Sequence, residues 1–234
     1  VGAGAMGGGI AEVCALAGHT VLLQDVDDPT VQAGYEAVIQ RLSDDPAVED
    51  HTAVTARITP VNADASIDAP VDLVIEAVPE DPAIKQAVLS SLDDRVHGET
   101  IVATNSSSLS VTALAEAAPH PARFCGIHFF NPPRRMELVE LIAHEAVAPE
   151  TIETAASFAT GLGKTTITAE RDTAGFIVNR MLLPMINEAA WMQADEGLSS
   201  AVIDHTARER LGFPMGMLRL ADFIGLDVIA AILH

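Results

Sequence analysis

Six short apolar runs, separated for the most part by helix-length segments, constrain this chain more than any other feature. The runs lie at 21–24, 71–75, 100–103, 124–129, 137–142 and 165–168. Segments of helical character fill 7–18, 29–42, 82–94, 110–118 and 149–160. Asp81-Pro82 is a good helix start, an N-cap side chain followed by proline in the first turn. Strands alternating with helices of this length predict βαβ units and a mostly parallel sheet. After residue 171 the strands stop, and 175–196, 199–211 and 218–233 read as helices. The expectation is an α/β domain over 1–171 and a smaller all-helical domain over 172–234.

Composition removes several classes of function. Hydrophobic residues make up 49% of the 234, so the chain is not disordered. Acidic residues outnumber basic ones 33 to 13, a formal net charge of −20, and only Lys85 and Lys164 are lysines. That balance excludes nucleic-acid binding through a basic face and polybasic anchoring to a membrane. No apolar run reaches the ~18 residues of a membrane span, and no signal peptide is visible. Cys14 and Cys125 form neither a disulfide framework nor a zinc site. These readings predict a cytoplasmic protein of a reducing compartment, with no metal centre. The acid excess fits the acidic proteome of a halophile, where molar salt shortens the Debye length to ~3 Å. Simple solubility is the plainer alternative. Both ends look cut: Val1 runs straight into a glycine-rich turn, and Ile232-Leu233-His234 lies inside a helical pattern without a cap.

Gly2-Ala3-Gly4-Ala5-Met6-Gly7 fits G-x-G-x-x-G ahead of a helix. The glycines allow a tight turn, close approach of a pyrophosphate to backbone, and packing of helix on strand. Asp25 ends the next strand, where a carboxylate can accept hydrogen bonds from ribose hydroxyls. The alternative is that Asp25 only caps the following helix. Asp27 and Asp28 would repel a 2′-phosphate, so the expected cofactor is NAD rather than NADP. By contrast, Gly161-Leu162-Gly163-Lys164-Thr165-Thr166 leads into a strand and has Phe158 where a P-loop needs glycine. It reads as a surface turn.

Eight histidines offer candidate bases. His19, His51, His97, His120 and His144 read as solvated surface, and His205 lies on a polar helical stretch. His128 sits within an apolar strand, and Glu140 is the carboxylate set among apolar neighbours in the next strand. Pairing around a turn centred on Arg134 brings the two face to face. A carboxylate beside an imidazole fixes its tautomer and stabilises its protonated form, as a general base requires. A satisfied core histidine is the alternative reading of the same spacing. Thr104-Asn105-Ser106-Ser107-Ser108-Leu109-Ser110 follows a strand end, where open α/β sheets bind ligands, although an N-cap cluster, with Ser108 or Ser110 as the cap, is the alternative.

With these residues together, the chain resembles the (S)-3-hydroxyacyl-CoA dehydrogenases, the family that includes 3-hydroxybutyryl-CoA dehydrogenases. The matching segments are 1–11, 76–80, 104–109, 128–132, 138–140, 172–180 and 214–227, in family order. The resemblance implies a Rossmann-type domain, a helical C-terminal domain, and oxidation of a 3-hydroxyacyl-CoA by NAD in fatty acid β-oxidation. It implies that His128 is the general base, that Glu140 orients it, and that Ser107 and Asn179 lie beside the reacting oxygen. Gly2, Gly4, Ala5, Met6, Gly7, Asp25, Glu80, Lys85, Asn105 and Asn131 match positions expected to hold the cofactor. It also implies a homodimer through the helical domain.

Three departures stand out. Ala174 replaces a usual proline, the segment between Asp25 and Glu76 is short with Arg41 and Arg57 its only basic residues, and the first strand survives only as Val1. Lys85, Arg134 and Arg135 are the few basic residues near the motifs, and the ones to examine for local compensation of the acid excess beside anionic ligands. The competing functions are a dehydrogenase of CoA-free hydroxy acids on the same fold, and a non-catalytic NAD-binding protein.

Overall fold

A computed structural model describes residues 1–62, 70–93, 95–226 and 229–230. The chain divides into two compact units, Val1–Asp172 and Thr173–His234. In the first, α1 (Ala5–Leu16), β1 (Val21–Gln24), α2 (Asp28–Asp44), α3 (His51–Thr55) and β2 (Ile58–Val61) come first. They are followed by β3 (Leu73–Glu76), α4 (Pro82–Ser91), β4 (Ile101–Thr104) and α5 (Val111–Ala115). The unit closes with β5 (Phe124–Phe129), β6 (Leu138–Ile142), α6 (Pro149–Gly161) and β7 (Thr165–Ala169).

The described strands form two sheets, β1–β2 and β3–β4–β5–β6–β7. Every pair is parallel except β5–β6. Val1 alone stands between the sheets: its ammonium donates to the Ile75 carbonyl at 2.7 Å and its own carbonyl accepts from Ala77 N. Gly2 N then donates to the Gln24 carbonyl, so one short stretch of backbone touches both sheet edges. All of β4 and β5 is buried, which is why those strands read as continuous apolar runs rather than alternating ones. Ile10 and Cys14 of α1 and Ala155 and Ala159 of α6 pack on Ile101, Ile127 and Leu141 of the sheet. A second cluster, with Leu23, Val38, Leu42 and Ile58, joins α1 and α2 to β1 and β2. Each large side chain so buried contributes about 1.5–3 kcal/mol.

Two elements go beyond the sequence reading, α3 and β2. Asp50 caps α3 by accepting from Ala53 N, and β2 carries Pro60, which is tolerated because β2 is a sheet edge. Asp81 caps α4 as expected, through Ala83 N and Ile84 N.

The second unit contains α7 (Val178–Asp195), α8 (Ser200–Leu211) and α9 (Met217–Ile224) around Leu183, Ile186, Ile203, Ala207 and Ala221. α7 starts later than 175 because Gly175 and Phe176 take positive φ of 73° and 51°, a turn no helix continues through. The Asp204 side chain on α8 accepts from Leu218 N and Arg219 N and so caps α9. α9 ends at Gly225, whose φ is 102°, instead of running on unbroken to 233. The expected chain end at Ile232-Leu233-His234 lies outside the described residues.

Candidate active site

The carboxyl ends of parallel β3, β4 and β5 come together, and the loops after them carry most of the polar residues singled out by sequence. The β5–β6 register pairs His128 with Glu140 and Gly126 with Ile142, centring the turn on Arg134 as the spacing predicts. His128 Nδ1 and Glu140 Oε2 are 2.7 Å apart, with the histidine 3% and the glutamate 0% exposed. With the Nδ1 proton directed at the carboxylate, Nε2 is the nitrogen of the neutral ring that accepts a proton. The Phe130 ring tilts against the imidazole at a centroid distance of 4.5 Å. Asn131 opens the exposed turn, and Pro133 within it packs beside Gly9 of α1. Arg134 holds this turn to Asp45 at 2.7 Å, while Lys164 Nζ donates to the Pro133 and Met136 carbonyls. The surface turn at 161–166 thus carries the lysine that clamps the β5–β6 connection.

After β4, the Asn105 side-chain oxygen accepts from Phe129 N, tying this loop to the strand that bears His128. Glu80 Oε1 gathers the next residues: Ser106 Oγ at 2.6 Å, and Ser107 N and Ser108 N both at 2.8 Å. Ser110, not Ser108, is the N-cap of α5, and its hydroxyl also donates to Asp172.

The glycine-rich turn is interlocked with β3. Gly2 has φ +97°, and a Cβ there would lie 2.6 Å from the Ala77 carbonyl oxygen. A Cβ on Gly7 would lie 1.8 Å from the Gly2 oxygen, so both positions need glycine. Gly4, the N-cap of α1, faces open space and no side chain caps the helix. Asp25 accepts from Ala3 N and Val26 N at 2.6 Å each, whereas Asp27 is the cap of α2.

Residues 1–173 match the family described as 3-hydroxyacyl-CoA dehydrogenase, NAD binding domain, and residues 175–234 match its C-terminal domain. The chain belongs to the 3-hydroxyacyl-CoA dehydrogenase family. It is 41% identical to a 3-hydroxybutyryl-CoA dehydrogenase of Bradyrhizobium diazoefficiens, over 100% of this chain and 81% of that protein. Its fold is similar to FadB2 of M. tuberculosis, with TM-score 0.94 and 33% identity over 99% of this chain and 83% of that one. The (S)-3-hydroxybutyryl-CoA dehydrogenase PaaH1 of Ralstonia eutropha gives TM-score 0.92 and 38% identity, with the same coverage of 99% and 83%.

The turn of this dehydrogenase fits the NAD that its domain takes. Gly4 leaves the α1 N-terminus open to a pyrophosphate, with Ala5 and Met6 in the first helical turn. The Asp25 carboxylate stands at the end of β1, fixed by two backbone amides and with acceptor capacity remaining.

One expectation, the solvated His144, needs correction. His144 is buried, with Nε2 at 3.0 Å from the Phe124 carbonyl, because the β6 exit folds back over the start of β5. Lys85 and Arg134 do not present loose positive charge: Lys85 is paired with Glu76 and Glu80, and Arg134 with Asp45 and Glu12. Arg41 and Arg57 are likewise engaged, with Glu12 and with the Ala15 carbonyl. Asn179 lies on the first turn of α7 in the second unit, while His128, Glu140 and Ser107 belong to the first. Sequence reading gave no role to Glu76, which is fully buried and hydrogen-bonded to Lys85 and Thr104.

Burial opposes the charged form of Glu80. The Ser106 hydroxyl, the Lys85 ammonium and the Ser107 and Ser108 amides outweigh it and hold the carboxyl below its ordinary value of 4.5. A lowered folded-state value means this stabilisation is complete above pH 4.5 and is lost as pH falls below it. Melting temperature of Glu80→Gln should therefore fall less steeply than that of the parent below pH 4.5. Parallel acid limbs in thermal scans would contradict the assignment.

Proposed function

We propose that this dehydrogenase oxidises an (S)-3-hydroxyacyl-CoA to the 3-oxoacyl-CoA with NAD, and catalyses the reverse reduction. The observation that carries the reading is the buried His128–Glu140 pair, at 2.7 Å beside the ends of β4 and β5. His128 Nε2 takes the proton of the substrate 3-hydroxyl as the C3–H bond breaks and the C3–O bond becomes a carbonyl. Bound NAD supplies the acceptor for the hydride. Glu140 keeps the imidazole oriented and offsets the charge it gains. Ser107 and Asn179 serve as hydrogen-bonding partners of the reacting oxygen. Gly2, Gly4, Ala5, Met6 and Gly7 cradle the pyrophosphate, Asp25 takes the ribose, and Asn105 and Asn131 line the nicotinamide end. The names of the Bradyrhizobium and Ralstonia relatives support a CoA thioester as substrate.

The same reading makes the enzyme a cytoplasmic homodimer of β-oxidation. Large exposed apolar side chains on the second unit, Met181, Trp191 and Phe223 among them, support an interface there. The two cysteines are free and buried, and among the described residues no helix is long and apolar enough to cross a membrane. With a net charge of −20 facing anionic substrates, activity is expected to rise with salt, as in a halophile. Oxidation of NADH by acetoacetyl-CoA, followed over a KCl series, tests these points together. Turnover with acetoacetyl-CoA far above that with free keto acids, increasing with KCl, is the expected result. Preference for the free acids would overturn the substrate, and full activity and stability at low salt would overturn the halophilic reading.

A further inference from the structure

The turn that joins β5 to β6 has neither helix nor strand of its own, and neighbouring elements hold it in place. Pro133 lies on Gly9 of α1 so closely that a Cβ on Gly9 would stand 2.9 Å from Pro133 Cδ. From the other side, Lys164 Nζ donates to the Pro133 and Met136 carbonyls at 2.7 and 2.8 Å. Arg134 adds an attachment to carboxylates. Its Nη2 donates to Asp45 Oδ2 at 2.7 Å, and its Nε stands 3.8 Å from Glu12 Oε1. Glu12 follows Gly9 by three residues, so both occupy the α1 face that the turn crosses. It is only 4% exposed, and its second oxygen accepts from Arg41 Nε at 2.8 Å. Arg41 and Asp45 come from the end of α2, four residues apart. Charge therefore alternates along Asp45, Arg134, Glu12 and Arg41, a path from α2 through the turn to α1 and back to α2.

An isolated surface ion pair is worth little. Arg123 with Glu99 is such a pair, 2.6 Å apart with side chains 35% and 89% exposed. Arg134 is also 35% exposed, but it faces two carboxylates, and one of them is buried. A buried carboxylate holds its cations in place, because leaving it without them is costly. The turn begins at Asn131, which lines the nicotinamide end in the dehydrogenase reading, whereas α1 begins at the glycine turn that cradles the pyrophosphate. Docking of the turn on α1 thus sets the spacing between two halves of one cofactor site. We propose that Arg134 is a positioning residue that, through Glu12 and Asp45, docks the turn after His128 on α1 and fixes Asn131 relative to the pyrophosphate turn. The inference rests on the dehydrogenase reading. Pyrophosphate and ribose have their own partners in that reading, so loss of Arg134 spares most of the cofactor affinity. Alignment of the nicotinamide is what suffers, and a misplacement of about 1 Å costs about 100-fold in rate.

The test is Arg134→Met, which keeps the aliphatic stem and removes the guanidinium. Arg123→Met is the matched control, an equally exposed arginine at the opposite end of β5 from His128. Hydrogen exchange is read at the Arg135 and Met136 amides, which both donate to the Pro132 carbonyl within the turn. NADH titration gives a dissociation constant and the emission of the bound nicotinamide. A single turnover with acetoacetyl-CoA gives the rate of hydride transfer separately from the fraction of active protein. For Arg134→Met, faster exchange at the two amides, a dissociation constant within about 3-fold of the parent and emission moved toward that of free NADH are expected. The single-turnover rate should fall about 10- to 100-fold, with its amplitude kept. Arg123→Met should match the parent in all of these. Unchanged exchange at Arg135 and Met136 overturns the proposal, as does parental emission of bound NADH. A parental rate with reduced amplitude marks a merely structural ion pair and also overturns it, as does an equal loss in Arg123→Met. Should Arg134→Met not fold, Asp45→Asn cuts the outer bond alone, leaves Glu12 with both guanidiniums, and must loosen the same amides and slow the same step. A parent protein that binds NADH without turning over acetoacetyl-CoA defeats the dehydrogenase reading, while exchange and emission still decide whether Arg134 sets the turn.

Discussion

His128→Gln should lower kcat by about 10²–10⁴-fold while the NADH dissociation constant stays near that of the parent. The size of the effect follows from the chemistry. Oxidation of a secondary alcohol leaves one proton to be placed, and a positioned base supplies this range of acceleration. Glutamine has an amide that can still donate to Glu140, so the buried carboxylate keeps a partner and the fold is spared an unsatisfied group. It cannot take a proton at the position of Nε2. His144→Gln is the matched control: also a buried histidine, it contacts the Phe124 carbonyl at the far end of the strand from His128. Its kcat should equal that of the parent. Steady-state turnover of acetoacetyl-CoA and NADH titration of all three proteins give the answer. Near-normal turnover by His128→Gln would remove the histidine from the mechanism.

The His128–Glu140 pair was legible because each strand offers one polar side chain to the buried face and the turn between them is symmetric about Arg134. The same logic made the glycine turn and Asp25 legible, since tight turns and strand ends leave fixed spacings. Other features leave no such trace. Nothing in the apolar run ending at Glu76 says that its carboxylate turns inward, or that a lysine nine residues later follows it. Burial of Lys85 is a consequence of α4 packing over β3, which is tertiary information. His144 is similar: its polar neighbours in sequence point to the surface, but its ring accompanies the β6 exit across β5. β2 was hidden by Pro60, which spoils a strand pattern yet costs no bond at an edge. α3 spans five residues, too few for a period of 3.6 to declare itself.

Gly7→Ala and Gly4→Ala should both weaken NADH binding but only the first should strongly destabilise the fold, and the contrast locates the cofactor. At Gly7 the added Cβ would stand 1.8 Å from the Gly2 carbonyl oxygen and 2.8 Å from its carbon. Both are backbone atoms, and Gly2 is itself wedged against Ala77, so no side chain can swing aside. α1 must retreat from the turn, at the upper end of the overpacking range or beyond, about 3 kcal/mol. For a unit of this size that lowers the melting temperature by about 6–12 °C. NADH affinity should fall at least tenfold with it, because the amides of α1 move away from the turn. At Gly4 a Cβ meets nothing within 4 Å, and its φ of −67° suits any residue. The folded protein should lose about 1 kcal/mol or less, the cost of a poorer N-cap. The methyl group nevertheless occupies the space through which a pyrophosphate reaches the helix N-terminus, so NADH affinity should again fall about tenfold, or 1.4 kcal/mol. Thermal melts and NADH titrations of the two variants separate the effects. Parental NADH binding by Gly4→Ala would mean that the open face of the turn is not where the cofactor lies, and a parental melting temperature for Gly7→Ala would mean that α1 is not locked to β3 through these glycines.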